Sequence, residues 1–262
     1  MIILNKAKLP IGVIDSGIGG LSVMRELVAL MPNENYLFFG DSANTPYGTK
    51  SVETVRALTF ASAERLMKKG IKALVIACNT ATAAAAKQLR ELHPDMPIIG
   101  IEPALKPAVL AKPNPTVIVM ATPLTLQQDK FLSLMSKYTD DAHIIPLPCP
   151  GLPEIIEGGV FDDGKLDAYL DRLFSPFDKE KIDSIVLGCT HYPLIKNQIA
   201  AAFGKPVEIF DGSIGTAKQT RKLLAQANLL NDSENKGNIT LLNSDTSLRI
   251  RELEEKFLYM KI

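Results

Sequence analysis

The sequence predicts an α/β fold: two similar α/β domains, each built on a parallel sheet, related by a pseudo-twofold duplication, with a ligand site in the cleft between them. Short apolar runs typical of buried strands alternate with helical periodicity along the whole chain, a pattern that favours parallel sheets with right-handed crossovers. Two strands end alike, in a cysteine followed by hydrogen-bonding residues: IKALVIACNTATAAAA from Ile71 and IDSIVLGCTHYPL from Ile182. This repetition predicts the duplication. Because ligands of open parallel sheets bind at the carboxyl ends of the strands, the two strand ends also predict where the ligand lies.

The first part of the chain alternates strands with helices. Strands are predicted at Leu9 to Ile14, Tyr36 to Phe39, Leu74 to Ala77 and Met96 to Ile101. Helices are predicted at Leu21 to Leu30, Ser51 to Lys69 and from Cys78 to about Leu92. Ser51 can cap the second helix and Gly70 can end it. The glycine-rich turn after Asp15 is expected to pack helix against strand and to offer N–H groups to a small carboxylate.

The pattern restarts after Pro113 and Pro115. Strands are predicted at Thr116 to Ala121, Ala142 to Leu147, Ser184 to Leu187, Val207 to Phe210 and Ile239 to Leu242. Helices are predicted at Gln127 to Tyr138, Glu154 to Gly158, Lys165 to Phe174, about Ile214 to Ala227, and Ser247 to Tyr259, with another starting at Pro193 directly after the second cysteine.

Composition narrows the class of protein. The 262 residues are 46% apolar and 22% charged, which suits a normal core. Lys+Arg and Asp+Glu both number 29, so the zero net charge gives no support for a nucleic-acid partner. No apolar run reaches the roughly 18 residues of a membrane helix, and the apolar start is too short for a signal peptide. Three widely spaced cysteines predict no disulfide framework and favour the reducing cytoplasm.

The two repeated cysteines are candidate functional groups. A single cysteine is most often a small buried apolar residue, but Cys78 and Cys189 share one setting at a strand end before a helix. Helix N-termini lower a thiol pKa from about 8.5 and can bind a carboxylate. His191 can share a proton with Cys189, and Asp15 can either do the same beside Cys78 or cap the following helix. Cys149, between two prolines, is predicted to be structural.

Cofactor motifs are weak or missing from the pattern. The three cysteines and one histidine lack the close ligand pairs of structural zinc sites, so no metal is predicted. The run from Gly17 nearly matches a dinucleotide fingerprint, but Ser22 replaces its third glycine. Two facing thiols suit one reaction without any cofactor: one removes the proton from an amino-acid Cα, and the other returns a proton to the opposite face.

The motifs IGVIDSGIGGLSV, FFGDSANTPYGTK, LVIACNTATA and IVLGCTHYPL resemble those of the bacterial glutamate racemases, in order, from Ile11 to about Asp211. These belong to the cofactor-independent aspartate/glutamate racemase superfamily. The resemblance implies interconversion of L- and D-glutamate, supplying D-glutamate for peptidoglycan. It implies domains of residues 1–97 plus 210–262 and of residues 98–209. It also implies that Cys78 serves D-glutamate and Cys189 serves L-glutamate.

The resemblance also assigns residues. The implied catalytic groups are the thiols Cys78 and Cys189, with Asp15 assisting the first, His191 assisting the second, and Glu157 near the site. The implied substrate contacts are Asp15, Ser16, Tyr47, Gly48, Asn79, Thr80, Thr125, Thr190 and His191. Taken alone, Glu157 is more typical of a solvated helix residue, and its segment CPGLPEIIEGG departs from the family's usual apolar run.

Rival interpretations remain open at this point. The protein could racemise or decarboxylate aspartate or another carboxylate within the same superfamily, bind a nucleotide as an oxidoreductase, or bind a carboxylate between two lobes without catalysis. Glutamate is the expected small-molecule partner, with no nucleic acid and no membrane, and a homodimer is a further expectation. No extended N-terminal arm precedes the first motif, so activation by a cell-wall precursor is not expected.

Overall fold

The structure is a computed structural model that describes residues 6–159 and 164–259. Its strands are β1 (Ile11–Asp15), β2 (Tyr36–Gly40), β3 (Ala73–Ile76), β4 (Ile98–Gly100), β5 (Thr116–Ala121), β6 (His143–Pro148), β7 (Ser184–Leu187), β8 (Glu208–Asp211) and β9 (Ile239–Asn243). Its α-helices are α1 (Leu21–Leu30), α2 (Val52–Met67), α3 (Asn79–Leu92), α4 (Leu105–Leu110), α5 (Pro123–Gln127), α6 (Asp129–Met135), α7 (Leu152–Gly158), α8 (Lys165–Phe174), α9 (Lys196–Phe203), α10 (Ser213–Gln226) and α11 (Leu248–Tyr259).

The strands form two sheets. Within the described residues, the first sheet has the order β4-β3-β1-β2-β9 and the second has the order β6-β5-β7-β8. Every strand pair in both sheets is parallel. Strands β1 and β3 are buried along their whole length because helices cover both faces of a parallel sheet, which explains their unbroken apolar runs. The predicted fold class, two parallel-sheet α/β units, is confirmed.

The chain passes twice between the two sheets. Strand β4 pairs with β3 in the first sheet, and β8 pairs with β7 in the second. Sheet pairing therefore places the two crossings after Gly100 and after Asp211, whereas the sequence predicts domain boundaries at 97/98 and 209/210. The segment from α10 through β9 to α11 returns to the first sheet, since β9 pairs with β2. A division into two domains at these crossings is our proposal.

One apolar core runs across both units. It contains Val13 and Val75 from the first sheet together with Ile118 and Ile185 from the second. Separate clusters fill the other face of each sheet. A shared core fixes how the carboxyl ends of the two sheets face each other, which is where the candidate site lies. Among the described residues, no helix is both long and apolar enough to cross a membrane.

Some predicted elements differ from the structure. The helix predicted over Gln127 to Tyr138 is α6, which is shorter at both ends, and a separate short helix, α5, precedes it; the two meet at Gln128, whose backbone is extended with ψ 140°. Helix α4, which carries Pro107 inside its apolar run, is absent from the predicted elements. A turn and a 3-10 helix, Tyr192–Ile195, separate Cys189 from α9. The α-helix predicted to start at Pro193 therefore begins at Lys196, and Cys189 is not followed at once by an α-helix.

Candidate active site

Cys78 lies where β3 meets α3. It has an extended backbone and caps the helix, since its sulfur accepts a hydrogen bond from the Ala81 N–H at 3.5 Å. The neighbouring Ser16 side chain also lowers the pKa of this thiol. Both contacts favour the thiolate, but burial and the neighbouring Asp15 carboxylate act against it and raise the pKa of Cys78 to about 12. Cys78 thus rests as a neutral thiol, ready to donate a proton.

Asp15 ends β1 beside Cys78. One carboxylate oxygen accepts the N–H of Gly17 at 3.1 Å, and the other accepts the Thr190 hydroxyl at 3.1 Å. The residue is only 3% exposed. Burial raises the pKa of Asp15 to about 6, and the charge on His191 limits that rise. A carboxyl group with this pKa can exchange a proton near neutral pH, which makes Asp15 suited to assist the thiol.

Cys189 lies on the turn after β7, in contact with a histidine and a glutamate. The sulfur lies 3.7 Å from Nδ1 of His191, and Nε2 of the same ring lies 2.8 Å from Oε1 of Glu157. Burial by itself lowers the pKa of His191, but the hydrogen bonds with Cys189 and Glu157 raise it well above its ordinary value. The imidazole therefore keeps its proton, and its Nδ1 lies within reach of the Cys189 sulfur for proton exchange.

The two thiol sites meet through Thr190. This residue follows Cys189 in the second unit, and its hydroxyl donates to Asp15 of the first unit. The two thiols interact electrostatically, because charge on Cys189 contributes to the raised pKa of Cys78. Both thiols are less than a tenth exposed. The sequence-predicted groups therefore form one buried cluster shared by the two units.

Three hydroxyls form a second bridge between the units. Thr80, at the start of α3, lies 3.1 Å from the hydroxyl oxygen of Thr122 and 2.9 Å from that of Thr125. Thr122 and Thr125 are themselves 2.9 Å apart, and Thr122 caps α5. Thr122 is absent from the predicted site residues. Its position directly after a buried strand, at the start of a Thr-Pro-Leu-Thr turn, is the signal that could have identified it.

The loop after β2 closes over this bridge. The Tyr47 hydroxyl donates to Asp41 at 2.7 Å, which holds the buried ring in place. A Cβ built on Gly48 would lie 2.5 Å from Cβ of Thr122, so only glycine permits this approach of the two units. Asn79 is buried, and its Oδ1 accepts no hydrogen bond from any described residue.

The glycine-rich turn binds the protein's own carboxylates. The Gly17 N–H bonds Asp15, and the Ile18 N–H bonds Oε1 of Glu157 at 3.1 Å. These two donors are therefore occupied, contrary to the expectation that the turn offers them to a ligand carboxylate. Glu157 is buried against the cluster rather than solvated. Cys149 lies in the core, where its sulfur donates to the Leu147 carbonyl at 3.4 Å.

The sequence profile of the family described as Asp/Glu/Hydantoin racemase matches residues 11–220. The chain belongs to this racemase family. Curated relatives include a glutamate racemase of Clostridium perfringens, 50% identical over 96% of this chain and 97% of the relative. Another is a glutamate racemase of Clostridium acetobutylicum, 50% identical over 95% of this chain and 97% of the relative.

Solved structures of this racemase family share the fold. The glutamate racemase of Francisella tularensis, solved in complex with D-glutamate, has a TM-score of 0.83 and 33% identity over 98% of this chain and 96% of that chain. The Escherichia coli glutamate racemase, solved with L-glutamate and the activator UDP-MurNAc-Ala, has a TM-score of 0.84 and 28% identity, covering 95% of each chain.

A larger cavity lies away from the thiols. It has a volume of about 800 Å³ and is bordered by β4, β8 and the start of α10. None of the racemase-motif residues named above as site residues lines it. The thiols line neither this cavity nor the smaller one of about 140 Å³ beside Asn79 and Thr125, and the void beside Asp15 and Tyr47 is too small for a water molecule. Cavity size is thus a poor guide to the chemistry here.

Proposed function

We propose that the protein is a glutamate racemase that interconverts L- and D-glutamate by a two-thiol, two-base mechanism. The observation that carries the proposal is one buried cluster in which each of two thiols has its own acid/base partner, Asp15 for Cys78 and His191 for Cys189. The curated relatives at about half identity over nearly the whole chain are glutamate racemases, and they support the choice of substrate.

The reaction is two proton transfers at one carbon. A thiolate removes the Cα proton and becomes a thiol, leaving a carbanion at Cα. The thiol on the opposite face then gives its proton to Cα and becomes a thiolate, so the configuration is inverted and no atoms are gained or lost. Holding both sulfurs against the same carbon supplies much of the rate enhancement, because the reacting groups are already oriented.

The raised pKa of Cys78 fits one direction of this reaction. In that direction Cys78, which keeps its proton, is the acid, and Cys189, whose sulfur lies 3.7 Å from Nδ1 of His191, is the base. Turnover in this direction leaves the substrate's Cα proton on the Cys189 sulfur and a negative charge on the Cys78 sulfur. Asp15 then assists the next proton exchange at Cys78. By the family resemblance, the direction that starts from the Cys189 thiolate converts L-glutamate to D-glutamate.

Substrate binding uses the neutral donors and acceptors around the thiols. The first-turn N–H groups of α3 suit the α-carboxylate, because helix N-termini attract anions. The unpaired Oδ1 of Asn79 can accept a hydrogen bond from the α-ammonium group. The hydroxyls of Thr80 and Thr125 supply further hydrogen bonds. Ser16, Tyr47, Gly48 and Thr190 complete the proposed contacts.

The proposed scheme needs no metal or organic cofactor, since thiols and a histidine perform each proton transfer. Its D-glutamate would supply peptidoglycan synthesis, and we place the reaction in the cytoplasm. A homodimer is a separate proposal, which light scattering coupled to size-exclusion chromatography would measure directly.

Turnover in deuterium oxide tests the function. L-glutamate and D-glutamate are incubated separately with the protein, and circular dichroism follows inversion while NMR follows loss of the Cα proton. We expect both enantiomers to reach a racemic mixture with solvent deuterium at Cα. L-aspartate is assayed in parallel. Racemisation of aspartate but not glutamate would show that the substrate is wrong, and binding without inversion would indicate a carboxylate-binding protein.

The three cysteines give a matched set of variants. Cys78→Ser and Cys189→Ser should each lose racemisation by at least a thousandfold while keeping the wild-type circular-dichroism spectrum, because a serine hydroxyl is a far weaker acid than a thiol. Cys149→Ala should racemise at close to the wild-type rate. Retained turnover in either of the first two variants would contradict the two-thiol mechanism.

A further inference from the structure

The first unit directly contacts the proton-transfer group of the second unit. The Ile18 N–H, in the turn between β1 and α1, donates to the same Glu157 oxygen that contacts His191. A Cβ built on Gly17 would lie 1.8 Å from that oxygen, and one on Gly19 would lie 2.5 Å from Nδ1 of His191. The turn therefore packs its backbone against both members of the histidine–glutamate pair.

Ser22 adds a hydroxyl to this contact. It lies in the first turn of α1, is 5% exposed, and places Oγ 2.8 Å from the Gly19 carbonyl and 3.0 Å from the Thr190 carbonyl. The Thr190 carbonyl belongs to the peptide that joins the Cys189 segment to His191. The single hydroxyl proton is shared between these two carbonyls, and its interaction with the Thr190 carbonyl restricts that peptide's rotation and thus the approach of sulfur to imidazole.

Arg249 makes a second contact from another element of the first unit. It lies on α11, and its guanidinium donates to the Glu157 backbone carbonyl at 2.6 Å. Glu157 is at the C-terminal end of α7, where a cation is favourable. Glu157 is thus held through its side chain by the glycine-rich turn and through its backbone by α11.

We propose that Ser22 and Arg249 are positioning residues for the Cys189–His191–Glu157 group. Neither touches the reacting carbon, and each acts through the residue it holds. The inference rests on the proposed racemase activity. Its consequence is selective: loss of either contact loosens proton transfer at Cys189, while Asp15 keeps the hydrogen bond from the Gly17 N–H and Cys78 keeps the one from the Ala81 N–H.

Rates alone cannot show this selectivity. Two enantiomers have an equilibrium constant of one, so kcat/KM must change equally in both directions. The primary deuterium isotope effect is different, because it grows for the enantiomer whose proton is removed in the slower transfer. Cα-deuterated L-glutamate and D-glutamate, each measured in ordinary water, therefore report on the two thiols separately.

The experiment compares these two isotope effects in Ser22→Ala and Arg249→Ala. We expect kcat/KM to fall about tenfold in both directions. We also expect the isotope effect to rise for the enantiomer deprotonated by Cys189 and to fall towards one for the other. Glu157→Gln shows how the two isotope effects change when proton transfer at Cys189 is impaired, and Asp15→Asn shows the opposite change. In Ser22→Thr, which keeps the hydroxyl, and in Arg249→Lys, which keeps the charge, the two isotope effects should return towards their wild-type values.

Thr220→Val is the matched control, since the buried Thr220 hydroxyl bonds only the Thr216 carbonyl of its own helix α10 at 2.8 Å. It should leave the ratio of the two isotope effects unchanged. An unchanged ratio in both Ser22→Ala and Arg249→Ala, with slower turnover, would show general destabilisation and overturn the inference. If the wild-type protein racemises neither enantiomer, the proposed function itself has failed.

Discussion

At the scale of single residues, burial of the Asp15 carboxyl group opposes its ionisation. The folded protein raises its pKa from 3.8 to about 6, chiefly by burial. The folded state therefore binds this proton more tightly than the unfolded chain does. Ionised Asp15 costs stability above about pH 6, and that cost disappears below about pH 4, where both states are protonated.

Asp15→Asn should remove this pH-dependent cost. The free energy of unfolding of the variant, relative to wild type, should increase by about 3 kcal/mol between pH 4 and pH 7, because a shift of about two pKa units corresponds to that energy. Urea unfolding of both proteins across this range measures the difference. We also expect the kcat/KM of wild type to fall below about pH 6, as Asp15 becomes protonated, and this fall should be absent from the variant. A difference that stays constant with pH would contradict the assigned pKa.

The sequence predicts residues well where function depends on a local pattern. Cys78, Asp15 and His191 follow strands, and the strand-to-turn pattern places their side chains at one sheet edge. The sequence alone leaves Glu157 open between the site and a solvated helix position, because its placement depends on the Ile18 N–H and on His191, which are 139 and 34 positions away in the chain. In the sequence, Ser22 is identified only as the residue that replaces the third glycine of the fingerprint. The role of its hydroxyl depends on a contact with the Thr190 carbonyl of the second unit, which no local pattern reveals.

At the scale of elements, a buried ion pair ties three segments together at the amino ends of the strands. Lys72, just before β3, pairs with Glu34, just before β2, and their side chains are 0% and 3% exposed. Lys72 also donates to the Ala7 carbonyl. The other oxygen of Glu34 accepts the Asn231 N–H at 2.8 Å, which fixes the polar loop that leads into β9.

Lys72→Met should destabilise the fold by about 3–5 kcal/mol, because it leaves the Glu34 carboxylate buried without its cation. The double variant Lys72→Met/Glu34→Gln should recover much of this loss, since glutamine is neutral and keeps an oxygen for the Asn231 N–H. Urea unfolding measures both. Lys68→Met, in an exposed pair with Glu64 at 3.6 Å, is the control and should change stability little. Equal losses in the single and double variants would contradict the role of charge.

The sequence also predicts elements unevenly. The strand Thr116–Ala121 and the helix Lys165–Phe174 match the prediction at both ends because a continuous apolar run and a clear helical period identify them. The helix predicted from Gln127 begins instead at Asp129, because the backbone is extended at Gln128 although the apolar period continues across it. No local pattern around Lys72 reveals its partner Glu34, 38 positions away.

At the scale of the whole molecule, the site is closed. Both thiols, both carboxyl groups and His191 are less than a tenth exposed, and they come from both units. The Cα atom of glutamate can come into contact with the sulfurs only if the two units first separate and then close again. The sequence predicts the cleft but not its closure, because closure depends on close approaches such as that of Gly48 to Thr122.

The two segments that cross between the sheets contact each other at Gly212. A substitution at Gly212 therefore tests the opening and closing of the two units. A Cβ built there would lie 2.4 Å from the Glu102 carbonyl oxygen and 2.8 Å from Cγ1 of Ile101. These neighbours include backbone, which cannot rotate out of the way as a side chain can. Gly212→Ala must therefore push the crossings apart and change how the units close on the thiols.

Gly212→Ala should lower the melting temperature and reduce kcat/KM about tenfold or more, since small displacements of reacting groups have large effects on rate. Gly215→Ala is the matched control: it lies on the same helix, α10, and a Cβ there meets no atom within 4 Å. That variant should be more stable by roughly 0.5–1 kcal/mol, because alanine favours a helix interior over glycine. Differential scanning calorimetry and racemisation assays compare the two. If Gly212→Ala behaved like Gly215→Ala, contact between the crossings would have no part in closing the site.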